Sequence, residues 1–106
     1  MKITITLSDE ELHGVLETAG MYGCGYWARS NVPFTSAATR AIGIRDRDNP
    51  EVLLGTLSPK KLRTLTIEGG TGGAVAIATA AAKGCFDANA ADVWVQLALF
   101  GEVRYG

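Results

Sequence analysis

The stretch from Asp87 to Gly101 constrains this chain more than any other. Asp87 is a good helix N-cap and Gly101 a good C-cap, and between them Ala91, Val95, Leu97, Ala98 and Leu99 surround Trp94 on a broad apolar face. A helix this apolar has to be buried, so the remaining residues must supply the elements that wrap it. With 106 residues, 47% of them hydrophobic, the chain can build one core and hence one domain spanning residues 1–106. That size leaves little room for a large enclosed ligand cavity, so a groove or a flat face is the expected working surface.

The wrapping elements follow from local signals. Ile3 and Ile5 alternate with Thr4 and Thr6, the period of a half-buried strand. Ser8 and Glu11 then form a capping box, Asp9 and Glu10 suit the positive end of the helix dipole, and Leu12, Val15, Leu16 and Ala19 mark a helix running to Gly20. Gly23 to Ala28 reads as an irregular segment leading into a strand, and Ala38 to Arg47 as a strand that runs out into solvent before the Asn49-Pro50 turn. Residues 51–61 fit a helical turn or a loop, and residues 62–67 alternate as a further strand. Thr71 can cap a second long helix over Ala74 to Ala82, closed by Gly84. The tail from Glu102 to Gly106 alternates as a short edge strand. The resulting fold class is α+β, a small antiparallel sheet packed against about three helices.

Motifs for catalysis or cofactors are missing. The Gly69 to Gly73 cluster precedes a helix, but no lysine follows it and it matches neither common phosphate-loop order, so it reads as a helix start. His13 can share a helix face with Glu10 and Glu17, yet no nucleophile or metal-ligand spacing accompanies it. Cys24 and Cys85 are too few, with one histidine, for a zinc site, and without a leader they are expected to be reduced thiols in the cytoplasm. Asp92 can cap, pair with Arg104 or contribute to a site. No enzyme activity, cofactor, metal or membrane association is expected.

Charge is uneven although the net value is −1: between Arg29 and Arg63 seven basic residues stand against three acidic ones. Tyr26 and Trp27 lie beside this basic middle. Exposed aromatics next to arginine are the residues that anchor interfaces, and basic side chains recognise phosphate or acidic partners. The expected partner surface therefore comprises Tyr26, Trp27, Arg29, Arg45, Arg47, Lys60, Lys61 and Arg63.

The segment Ala91-Asp92-Val93-Trp94-Val95-Gln96-Leu97-Ala98-Leu99-Phe100-Gly101-Glu102-Val103-Arg104-Tyr105-Gly106 resembles the ending of a family of small proteins encoded by tailed bacteriophages and prophages. Those chains finish in an A-D-x-x-x-Q-x-A-L-F-G-E-[VI]-x-Y-G pattern. The opening Ile3 to Leu12, with a glycine-rich turn and Tyr26-Trp27 after it, is similar to the same family's first helix and aromatic segment. The resemblance implies an origin more than an activity. Gln96 within the apolar helix needs hydrogen-bond partners and is expected to fix how the tail docks.

Two functions follow as expectations. The first is a phage-derived, non-catalytic inhibitor or modulator of a host factor, such as an anti-CRISPR-like anti-defence protein acting in the host cytoplasm. The second is a nucleic-acid-binding accessory or regulatory protein using Arg40 to Arg63. A host protein or complex is the leading partner, nucleic acid the second, and an uncovered helix face would also allow a homodimer.

Overall fold

The computed structural model describes residues 2–68 and 74–105. The expected α+β class holds, organised around the long C-terminal helix α4, Ala88–Phe100. Asp87 caps it, its Oδ1 accepting the Ala90 amide at 2.8 Å, and Gly101 ends it in the left-handed region at φ 76°. Trp94 and Val95 are fully buried. Trp94 donates its indole N–H to the Leu62 carbonyl at 2.7 Å and meets the Phe86 ring edge-on. The largest core side chain thus has its one polar group satisfied.

The chain opens with β1, Lys2–Thr6, and the helix α1, Asp9–Thr18. The capping box forms in full: the Glu11 amide donates to Ser8 Oγ at 3.1 Å, and the Ser8 amide donates to Glu11 Oε1 at 3.0 Å. Leu12, Val15 and Leu16 turn into the core. The helix does not stop at Gly20 as its periodicity predicts. It widens into a π-helical turn, Ala19–Gly23, closed by the Cys24 amide donating to the Ala19 carbonyl at 2.9 Å. Glycine at position 23 is required by close approach, since a Cβ there would lie 2.8 Å from the Ala88 carbonyl oxygen.

The middle forms β2, Ala28–Arg29, a 3-10 turn at Phe34–Ala38, β3, Ile42–Asp46, and β4, Leu53–Leu57. Ala38 therefore lies before the strand in which its neighbours place it, and the region 51–61 resolves into a strand and a short helix α2, Pro59–Arg63. Ser58 caps α2 and Pro59 occupies its first turn, where a missing N–H costs nothing. β5, Thr64–Glu68, returns antiparallel to β1, with Ile3 opposite Ile67 and Ile5 opposite Leu65. On the other face the threonines pair, Thr4 with Thr66 at 3.0 Å and Thr6 with Thr64 at 3.2 Å. The strands thus form two small antiparallel sheets, β1-β5 and β2-β3-β4, rather than one.

The helix α3, Ala74–Lys83, ends at Gly84, whose φ of 68° only glycine adopts readily. The Gly69 to Gly73 cluster and the Thr71 cap lie outside the described residues. Residues 102–105 correct the expected edge strand: they have no regular structure, and their backbone groups bond to a side chain of α4 instead of to a neighbouring strand. Among the described residues no helix is long and apolar enough to cross a membrane.

Candidate functional site

Asp92 and Gln96 lie one turn apart on α4, on the side that faces the π-turn and the tail. Both are buried, at 7% and 0% exposure, the only two polar or charged side chains so enclosed among the described residues. Their surroundings explain how an apolar helix tolerates them. The Asp92 carboxylate accepts from the Tyr26 hydroxyl at 2.6 Å, the Trp27 indole N–H at 2.8 Å and the Gln96 amide at 2.9 Å, with the Cys24 thiol 3.6 Å away. Gln96 in turn accepts at Oε1 from the Arg104 and Tyr105 backbone amides, at 2.7 and 2.8 Å, and donates from Nε2 to the Tyr105 carbonyl at 2.9 Å. The tail is thereby strapped across α4, and no buried side-chain polar atom among the described residues lacks a partner.

The strap places the Tyr105 ring flat on Trp27, with centroids 4.9 Å apart and planes inclined by 8°, while Phe100 touches the indole from a tilted angle. Of the alternatives open to Asp92, the pairing with Arg104 does not form, and the tail docks on Gln96 instead of adding a strand. Arg104 pairs with Glu102 at 3.3 Å and covers the Phe100 ring at 4.4 Å. The network has a chemical consequence for its donors. Burial, reinforced by the neighbouring Asp92 charge, pushes the Cys24 thiol well above its usual range, and burial with the Asp92 hydrogen bond does the same to the Tyr26 hydroxyl. Both groups keep their protons at neutral pH, so neither is a ready nucleophile or base.

Trp27, expected as a surface anchor, is 3% exposed and belongs to the core. Its need for a hydrogen-bond acceptor overrides its aromatic neighbourhood in sequence. Tyr26 remains 46% exposed with its hydroxyl tied inward. Arg29 lies opposite Arg45 across β2 and β3, Arg45 donates to the Pro50 carbonyl at 3.3 Å, and Arg47 is exposed. Lys60 and Lys61 are exposed on α2, whereas Arg63 is bound to Asp9 at 2.6 Å and reaches the Leu7 carbonyl. The eight expected residues therefore separate into a buried anchor, a β2–β3 group and an α2 group, with Tyr26 standing over α4.

What sequence reasoning misses is the company Tyr26 keeps. Tyr22 is 73% exposed and Val103 37% exposed, and together with Tyr26 and Tyr105 they line an open depression of about 370 Å³ above Asp92. Met21, beside Tyr22 on the π-turn, is 65% exposed and faces a second groove of about 630 Å³ between α1 and residues 28–35. The available signal was the Asp92 and Gln96 spacing: two polar residues one turn apart within an apolar helix demand a dense set of donors and acceptors nearby. His13 pairs with Glu17 at 3.6 Å, both exposed, and borders a third groove with the exposed Cys85. Among the described residues no three His, Cys, Asp or Glu side chains gather as a metal site. A scan against protein-family models and searches of curated proteins and of solved structures find no match to this chain.

Proposed function

We propose that this chain is a non-catalytic binding protein that docks a partner protein on the aromatic ledge formed by Tyr22, Tyr26 and Val103. One observation supports the reading above others: Tyr22 on the π-turn and Val103 in the tail stand exposed beside Tyr26, whose hydroxyl is held by Asp92. Exposed apolar clusters over rigid supports are what interfaces use, because tyrosine offers much contact area for little loss of side-chain freedom. The π-helical turn that carries Tyr22 is itself a feature concentrated at functional sites. The resemblance of residues 91–106 to phage-encoded chains supplies the class of partner, a host factor such as a component of a defence system.

Affinity capture from a bacterial host lysate tests this, comparing the native chain with Tyr22→Ala and with Lys60→Ala. A component retained at a fixed ratio by the native chain and by Lys60→Ala, but released by Tyr22→Ala, is the expected result. Equal retention by all three proteins, or none by any, rejects the ledge as the docking surface. A dimer in sedimentation that Tyr22→Ala dissolves would instead make the ledge a contact between two copies. Trp27 is unsuited to the comparison because its truncation would open the core.

A further inference from the structure

We infer that the open depression between residues 30–32 and the start of β3 binds a small phosphorylated ligand. This site is separate from the aromatic ledge and does not depend on it. Arg40 and Arg45 line the depression, of about 240 Å³, together with Ser30, Asn31 and the exposed backbone at Gly43. No acidic side chain lines it.

The charge arrangement is hard to account for by folding alone. Arg29 and Arg45 are direct cross-strand partners, and like charges in that position are destabilising. Among the described residues none of Arg29, Arg40 and Arg45 forms a salt bridge; the arginines that do are Arg63 and Arg104. Asp46, the acid next to Arg45 on β3, forms no salt bridge among the described residues, and its Oδ1 accepts the Asp48 and Asn49 amides at 2.8 and 3.1 Å. Two guanidinium groups, Arg40 and Arg45, line the concavity, and a pair of them suits a dianion better than a single carboxylate.

Neutral donors complete the set. Ser30 Oγ accepts from the Val32 amide at 3.3 Å, which leaves the hydroxyl hydrogen free to donate. Arg45 spends one of its five N–H groups on the Pro50 carbonyl, a contact that steadies the side chain while the other four stay available. No aromatic side chain lines the depression, so it lacks the stacking platform with which proteins grip the bases of single-stranded nucleic acid. A phosphoryl group, free or on a nucleotide, is the chemistry that fits.

The test is a titration of the ¹⁵N-labelled protein at low ionic strength, following the arginine Nε–Hε signals and the backbone amides. Three probes are used: inorganic phosphate, a nucleoside 5′-monophosphate and the unphosphorylated nucleoside. Saturable shifts of Arg40 and Arg45 with both phosphorylated probes, and none with the nucleoside, are expected. Tighter binding of the monophosphate would identify a nucleotide as the source, and equal binding free phosphate. Arg40→Gln and Arg45→Gln should each weaken binding about tenfold, and Lys60→Gln should leave it unchanged. Arg40 is exposed, so its substitution should leave the fold intact. Shifts that never saturate, that spread equally to Lys60, or that survive both arginine variants would overturn the inference.

Discussion

The Tyr105 ring lies flat against the Trp27 indole, and both residues are positioned by the same two side chains of α4, Asp92 and Gln96. Asp92 fixes the indole through its N–H, and Gln96 fixes the tyrosine through its backbone. Stacked aromatic pairs contribute roughly 0.5–1.5 kcal/mol beyond their buried area, a modest term that the hydrogen bonds hold in register.

Asp92→Asn should therefore destabilise the protein by about 1–3 kcal/mol, since it removes the charge that strengthens the hydrogen bonds from Trp27 and Gln96 and puts an NH2 group in place of the oxygen that accepts from Tyr26. Urea unfolding followed by tryptophan fluorescence measures the loss. A midpoint equal to that of the native chain would show that the network contributes nothing net.

Gln96→Leu should keep the apolar packing of α4 while releasing the tail. The amides of Arg104 and Tyr105, bonded at 2.7 and 2.8 Å in the native chain, should exchange their hydrogens at least tenfold faster, with a stability loss of about 1–3 kcal/mol. Unchanged exchange at both amides would mean that the stacking alone holds the tail.

Two glycines should respond in opposite directions to alanine. Gly14 is in the exposed middle of α1 with open space around its Cβ position, so Gly14→Ala should stabilise the protein by about 0.5–1 kcal/mol. Gly23→Ala should destabilise it, because the new methyl would meet the Ala88 carbonyl oxygen at 2.8 Å and push the π-turn off α4. Thermal unfolding of the two variants side by side checks both signs.

Stability should decline on the alkaline side before it would in a chain lacking Cys24 and Tyr26. In the unfolded chain the thiol and phenol ionise around their ordinary values of 9.0 and 10.0, while the folded chain keeps both protonated. The unfolded state then holds fewer protons, so this stabilisation is complete below about pH 9 and erodes as pH rises above it. Denaturation midpoints between pH 7 and 10.5 should fall less steeply for Cys24→Ala and for Tyr26→Phe than for the native chain.

Thiol labelling separates the two cysteines. Cys85 is exposed and Cys24 fully buried, so an aromatic disulfide reagent should modify one thiol in the native state and both after denaturation. Rapid reaction of both would show that the region around Cys24 opens readily.

The elements most legible in the amino-acid sequence are those whose signals are local. Ser8 with Glu11 and Asp87 with Gly101 mark their helices because cap and helix lie within a few residues of each other. The division of the strands into two sheets depends on β1 finding β5, a pairing across most of the chain that no local pattern encodes. The π-turn was hidden for the same reason, being shaped by Gly23 fitting against Ala88. Trp27 looked like an anchor because its acceptor, Asp92, is far away in sequence. The tail alternated like a strand, yet its hydrogen-bond partner turned out to be a side chain. Gln96 was the exception: an amide within an apolar helix announced that it would hold something, and it holds the tail.

The separation of 65 residues between Trp27 and its acceptor also bears on how the chain matures on the ribosome. Residues 24–27 emerge while α4 is still unsynthesised, and until then the indole has neither an acceptor nor a stacking partner. A nascent chain that has reached only residue 27 thus carries an unfinished tryptophan, and cooperative folding of this core waits until α4 has been made.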